Sequence, residues 1–200
     1  MNFFGINALE TLINSLSRLP GIGKKTAQRL AIFILKSDNQ FAEELADSIL
    51  KLKHDTQLCQ RCFNIAEGPL CQICQDERRD GRKICLVEDI IDIMAVESSH
   101  EFNGRYHVLG GVISPLSGVM PEDLHIKELI NRVAQEDIKE IVMALNPSTE
   151  GEATMIYISR LLKDSDVLIT QLASGVPIGS NLEFIDPATI GRAILTRRKL

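Results

Sequence analysis

The sequence has few aromatic residues, no long apolar run and no excess of positive charge. Aromatic residues make up 4% of the 200 residues and Trp is absent, so the core must be built from aliphatic side chains. No stretch approaches the roughly 20 apolar residues that a membrane-spanning helix needs. The formal net charge of -5 excludes a uniformly basic surface for nucleic acid. Any contact with DNA must therefore use a local basic patch.

Two local basic patches are present. Up to residue 30, a single acidic residue, Glu10, stands against four cations, which are Arg18, Lys24, Lys25 and Arg29. A second patch closes the chain at Arg197, Arg198 and Lys199.

The chain begins Met1-Asn2-Phe3-Phe4, without the basic start and apolar run of a signal peptide. We therefore expect a cytosolic protein. Cysteines are kept reduced in that compartment, where a cysteine cluster more often binds metal than forms disulfides.

Hydrophobic spacing divides the chain into three parts. Leu and Ile recur at helical spacing over residues 9–19, from about Thr26, and from about Phe41 to Leu52, so the first 53 residues are predicted to be helical. Residues 55–80 are polar and rich in turns, and no helical periodicity is visible there. From Lys83 onward, short apolar runs alternate with helical patterns, which predicts a parallel sheet covered on both faces.

The polar segment contains two C-x-x-C pairs. Cys59, Cys62, Cys71 and Cys74 can supply four thiolates to one tetrahedral Zn²⁺ ion. Four protein ligands leave no open position, so the predicted zinc is structural, one per chain. Two disulfides or four unrelated buried cysteines are the alternative. Cys85 lies on an expected buried strand and is interpreted as a packing residue.

A glycine-rich hairpin joins the first two predicted helices. Gly21 and Gly23 allow the tight turn, and the start of the second helix offers free N–H groups to an anion. The run from Leu19 to Ala27 resembles the helix-hairpin-helix motif, which binds DNA without sequence specificity. The predicted DNA-binding residues are Gly21, Gly23, Lys24, Lys25 and Arg29. A plain turn with solvated lysines, or a protein–protein contact, is the alternative interpretation.

Acidic residues follow two of the predicted strands. Glu88 and Asp89 come after the strand at 84–87, and Glu150-Gly151-Glu152 comes after the strand at 141–145. The two ends resemble a Toprim site, in which a glutamate and a D-x-D pair hold Mg²⁺ for phosphoryl transfer. Here neutral Asn146 and Ser148 stand in place of the two aspartates.

These neutral positions favour a degenerate Toprim domain that binds a partner or DNA, with Mg²⁺ not expected. The acidic partner site is predicted to comprise Glu88, Asp89, Glu150 and Glu152. A generic α/β domain with acidic loops is one alternative. A Mg²⁺-dependent nuclease or primase-like enzyme is another, and a protein scaffold without DNA contact is a third.

The order of helix-hairpin-helix, four-cysteine site and Toprim-like sheet resembles the bacterial recombination mediator family RecR. The segments from Leu172 to Gly179 and from Ile190 to Ala193 are also similar to that family. The resemblance implies a non-enzymatic role in recombinational repair, with RecO and RecF, loading recombinase onto gapped or single-stranded DNA. It further implies a homotetrameric ring, a cytoplasmic location at the nucleoid, DNA-facing Lys25 and Arg29, and a RecO contact at Glu150.

The predicted fold class is α/β, with four parts. These are a helix-hairpin-helix DNA-binding domain at 1–53, a C4 zinc finger at 54–80, a Toprim parallel-sheet domain at 81–175 and a helical C-terminal oligomerisation tail at 176–200.

Overall fold

A computed structural model describes residues 6–173 and 175–197 of the chain, which divides after Thr56 into two compact units. Three residues named above, Ser174, Arg198 and Lys199, lie outside the described residues.

The first unit is helical, as predicted. Its helices are α1 (Asn7–Leu16), α2 (Lys24–Lys36) and α3 (Asn39–Asp55). Helices α1 and α2 share a small core in which Ala27 and Ala31 are fully buried, together with Leu9 and Ile13. Two alanines at this contact let the helix backbones approach closely, which a short hairpin requires.

The second unit begins with the cysteine segment. Strands β1 (Gln57–Leu58) and β2 (Ile65–Ala66) pair antiparallel, and α4 (Gln72–Gln75) forms a single turn. The sequence pattern did not indicate this turn, because four residues are too few to show a period.

A parallel sheet follows, with strands in the order β4-β3-β5-β6. The strands are β3 (Asp80–Val87), β4 (Gly104–Val108), β5 (Glu140–Ala144) and β6 (Leu168–Gln171). The helices of this unit are α5 (Ile90–Glu97), α6 (Ile126–Gln135), α7 (Thr149–Leu161) and α8 (Pro187–Leu195). The predicted α/β class is confirmed, and the bounds of most elements differ from those expected by one to three residues.

Both faces of the sheet are covered, which explains the unbroken apolar run in β3. Ile84 and Leu86 face one core with residues of α6 and α7. Cys85 and Val87 face the other core, to which α5 and the cysteine segment contribute. No helix in the described part of the chain is long and apolar enough to cross a membrane.

Candidate functional site

The four cysteines of the polar segment converge. Their Sγ atoms all lie within 4.8 Å of one another, and all four residues are buried. The Sγ atoms of Cys62 and Cys71 are 3.5 Å apart. Thiolates at about 2.3 Å from one tetrahedral ion would be about 3.8 Å apart, so the donor set fits Zn²⁺.

The chemistry of this cluster calls for a cation. Hydrogen bonding with Cys71 and Cys74 raises the pKa of Cys62, while the bond from Cys62 lowers the pKa of Cys71. The thiols therefore share protons and cannot all ionise by themselves. A divalent ion removes that restriction, because it binds every sulfur as thiolate.

The cysteine segment is joined to the sheet by specific contacts. The N–H of Val108, on edge strand β4, donates to the carbonyl of Cys62 at 2.9 Å. The ring of Phe63 stacks on His125 with centroids 3.7 Å apart. These contacts cover an edge strand that would otherwise expose unpaired backbone groups.

A charged cluster strengthens the same junction. Arg61 donates to both carboxylate oxygens of Glu136, at 3.0 and 2.8 Å, and buried Arg132 also reaches Glu136. Burial raises the pKa of Glu136, but the two arginines outweigh it and the pKa lies below its usual value. Sequence reasoning missed this cluster, since Arg61 and Glu136 are distant in the chain and neither lies in a recognisable motif.

The glycine hairpin of the first unit has the expected form. Gly21 has φ +76°, a left-handed conformation that favours glycine. Gly23 is the N-cap of α2 and brings no side-chain acceptor. The first-turn N–H groups therefore remain available to an anion. Helix α2 begins at Lys24, two residues earlier than the hydrophobic spacing indicated.

The predicted cations surround this helix start. Lys24, Lys25 and Arg29 are all exposed. Within residues 6–173 and 175–197, none of the three forms an ion pair or a side-chain hydrogen bond. Their charge is therefore not neutralised by a neighbouring carboxylate.

The acidic residues at the carboxyl edge of the sheet have separate roles. Glu88 accepts hydrogen bonds from the backbone N and the Nδ2 of Asn146, at 2.7 and 2.8 Å. Asp89 is the N-cap of α5 and forms a capping box with Asp92. Glu152 forms an ion pair with Arg192 of α8, and Glu150 is exposed.

Helix α8 lies beside this edge. A cavity of about 600 Å³ separates the two, with Met143, Met155 and Leu172 among its lining residues. The Glu152–Arg192 pair therefore joins the acidic loop to the C-terminal helix. A lone charge in an apolar tail was the available signal for Arg192, and it gives no partner.

Comparison with known proteins gives matches over almost the whole chain. Family models match as RecR helix-hairpin-helix at residues 9–53, the RecR four-cysteine zinc finger domain at 56–76, Toprim domain at 82–173 and RecR C-terminal at 175–198. The chain is 47% identical over 192 residues to the recombination protein RecR of Myxococcus xanthus, covering 96% of this chain and 98% of that protein.

The chain belongs to the RecR family.

Two further RecR proteins agree. The chain is 50% identical over 185 residues to that of Cutibacterium acnes, covering 92% of each chain. It is 48% identical over 200 residues to that of Chloroherpeton thalassium, covering 97% of this chain and 98% of that protein. The predicted RecR resemblance is confirmed, and the four cysteines correspond to the zinc finger of the family, with one structural zinc.

Proposed function

We propose that this RecR-family protein acts in recombinational repair as a DNA-binding mediator without enzymatic activity. In this proposal it works with RecO and RecF to load recombinase onto gapped or single-stranded DNA. Its site of action is the cytoplasmic nucleoid, where the chromosome is found. Membership of a family of recombination proteins supports the general role. The DNA contact and the partners rest on the arguments below.

The observation that carries the proposal is the group of free cations at the glycine hairpin. Lys24, Lys25 and Arg29 lie in the first two turns of α2, beside N–H groups that also attract anions. Phosphate oxygens are the part of DNA that such a surface recognises, and they carry no base information. We therefore assign DNA binding to Gly21, Gly23 and these three cations, with little sequence preference.

The test replaces two of these cations. The double variant Lys25→Ala with Arg29→Ala is expected to bind gapped duplex about tenfold or more weakly at low salt. The slope of log K against log salt should also flatten, by about 0.9 for each phosphate of the duplex that the variant no longer neutralises. Both quantities come from fluorescence anisotropy with labelled DNA over a series of salt concentrations.

A matched control removes the same charge elsewhere on the first unit. Lys51 and Lys53 are exposed on α3, without an ion pair in the described chain. Lys51→Ala with Lys53→Ala should leave the salt slope close to that of the wild type. Equal weakening in both double variants would mean that bulk charge acts instead of the hairpin, and unchanged binding in both would refute the hairpin as the DNA site.

The absence of catalysis has its own readout. In the same samples, labelled DNA incubated with Mg²⁺ or Mn²⁺ should be recovered intact. Turnover that disappears in Glu88→Gln would instead favour the nuclease alternative, since Glu88 is the residue in the place of the Toprim glutamate.

Two further assignments extend the proposal. Glu150 and its neighbours are the proposed contact for RecO, because Glu150 is an exposed carboxylate without a partner in the described residues. A ring-shaped homotetramer is the proposed assembly, supported by the exposed apolar face of α3. In such a ring, several weak phosphate contacts act together, so an acidic chain can still hold DNA.

A further inference from the structure

Strands β3 and β5 are adjacent in the sheet, and their carboxyl ends are joined by one pair of side chains. The carboxylate of Glu88, just after β3, receives two hydrogen bonds from Asn146, just after β5. The backbone N–H donates to Oε1 and the side-chain Nδ2 donates to Oε2. The opposite orientation of the amide would set its oxygen against a carboxylate oxygen, so the donor assignment follows from charge.

A magnesium centre would need different chemistry at this position. Toprim enzymes hold Mg²⁺ between the glutamate and two aspartates, and Mg²⁺ prefers anionic oxygen ligands. Asn146 and Ser148 occupy the two aspartate positions in this chain. Asn146 turns polar hydrogens, not lone pairs, towards Glu88. The residues present therefore do not fit the ion that the fold family implies.

The rest of the loop is also closed by internal contacts. Ser148 Oγ accepts a hydrogen bond from the Gly151 N–H at 3.0 Å and so caps α7. The Ser148 N–H donates to the Asn146 carbonyl at 2.8 Å. A Cβ on Gly151 would come within 2.1 Å of that same carbonyl oxygen, so a side chain there would force the loop apart.

We propose that the Asn146 amide takes the place of the cation, and that the Toprim metal centre of this protein is a metal-independent hydrogen-bonded junction. The two N–H groups supply the positive partial charges that a carboxylate at this edge requires. The junction fixes the ends of β3 and β5 at any magnesium concentration. This inference goes beyond the proposed function, and its test requires neither DNA nor a partner protein.

The test restores the acidic pair. In the double variant Asn146→Asp with Ser148→Asp, two carboxylates face Glu88 and repel it unless a divalent cation lies between them. Its thermal unfolding midpoint should rise with MgCl₂, by about 2–4 °C at ten times the Kd for a protein of this size. The wild-type midpoint should change by less than about 1 °C under the same conditions.

The matched control is Ser148→Asp alone. It adds one of the same carboxylates and can still cap α7, since Asp is also a good N-cap. It keeps the Asn146 bonds to Glu88, so its midpoint should not respond to MgCl₂. Calorimetric titration of each protein with MgCl₂ gives a second readout that does not depend on heating.

Two results would overturn the inference. One is Mg²⁺ binding by the wild-type protein that disappears in Glu88→Gln, since that carboxylate would then be a metal ligand. The other is a folded double variant that shows no response to Mg²⁺. If the double variant does not fold, the wild-type titration with its Glu88→Gln comparison still decides.

Discussion

Glu150 is the residue at the sheet edge whose carboxylate remains free for a partner. Its three acidic neighbours are engaged: Glu88 by Asn146, Asp89 as a helix cap and Glu152 by Arg192. Glu150→Gln keeps the size and removes the charge, so the proposed RecO contact should weaken while the stability of the chain is unchanged. Surface plasmon resonance with purified RecO should show about a tenfold rise in Kd if a charge-assisted hydrogen bond is removed.

Glu77→Gln is the control for this change. Glu77 is also exposed and forms no ion pair within the described residues, but it lies in the polar segment before β3. RecO affinity equal to that of the wild type in both variants would remove Glu150 from the contact. Equal weakening would point to the net charge of the whole chain.

Residues close together in the chain were the easiest to assign from sequence. The two C-x-x-C pairs predicted the zinc ligands, because each pair is local and thiolate has few other uses at that spacing. The Asn146–Glu88 pair spans 58 residues, and no local pattern indicates which amide meets which carboxylate. The sequence suggested a weakened metal site, while the hydrogen bonds that replace the ion required the structure.

Elements with local start signals were also predicted well. Helix α5 was expected after Asp89, and that residue caps it; α8 was placed at Pro187–Leu195 and forms there. The start of α2 was placed too late, because Gly23 offers no side-chain cap and the lysines that follow are polar. The one-turn helix α4 contains Cys74 and follows directly on Cys71, so tertiary contacts and not periodicity determine it.

The zinc segment acts as the cover of edge strand β4. From sequence alone, a chelator is expected to loosen residues 55–80 before the sheet domain melts. The structure makes this expectation specific, since the Val108 N–H donates to Cys62 while the next N–H, of Leu109, donates to Val87 within the sheet. Removing zinc with a chelator should therefore speed hydrogen exchange at Val108 by about tenfold or more while Leu109 stays protected.

Two neighbouring amides thus provide their own control, and NMR hydrogen exchange measures both in one sample. Elemental analysis before chelation should give about one zinc per chain, as four thiolates require. Equal acceleration at Val108 and Leu109 would show that the whole sheet depends on the metal. Unchanged exchange at both would show that the segment stays docked through Phe63 and Arg61 without it.

On the scale of the whole molecule, the first unit leaves much apolar surface open. No residue of α3 is buried in the chain alone. At helical spacing, Phe41, Leu45, Ile49 and Leu52 form one stripe, and all are more than a third exposed. Surface of this kind marks an interaction site. We propose that a second copy covers it, in accordance with the homotetramer implied by the family.

This assembly predicts different effects from two adjacent residues. Ile49 lies within the stripe at 57% exposure, while Leu50 lies outside the stripe at 55%. Ile49→Glu places a charge in the proposed interface and should shift the protein to smaller species, because an unpaired buried charge costs several kcal/mol. Leu50→Glu makes the same chemical change outside the stripe and should assemble like the wild type.

Size-exclusion chromatography with light scattering, with and without a gapped duplex, measures the outcome. The wild type and Leu50→Glu should both elute as the oligomer and shift further with DNA. Ile49→Glu should have a lower mass and also bind DNA with a flatter salt dependence, because each smaller species brings fewer hairpins to the backbone. A wild-type protein that is monomeric with and without DNA would leave the acidic charge of the chain unexplained and would contradict the ring.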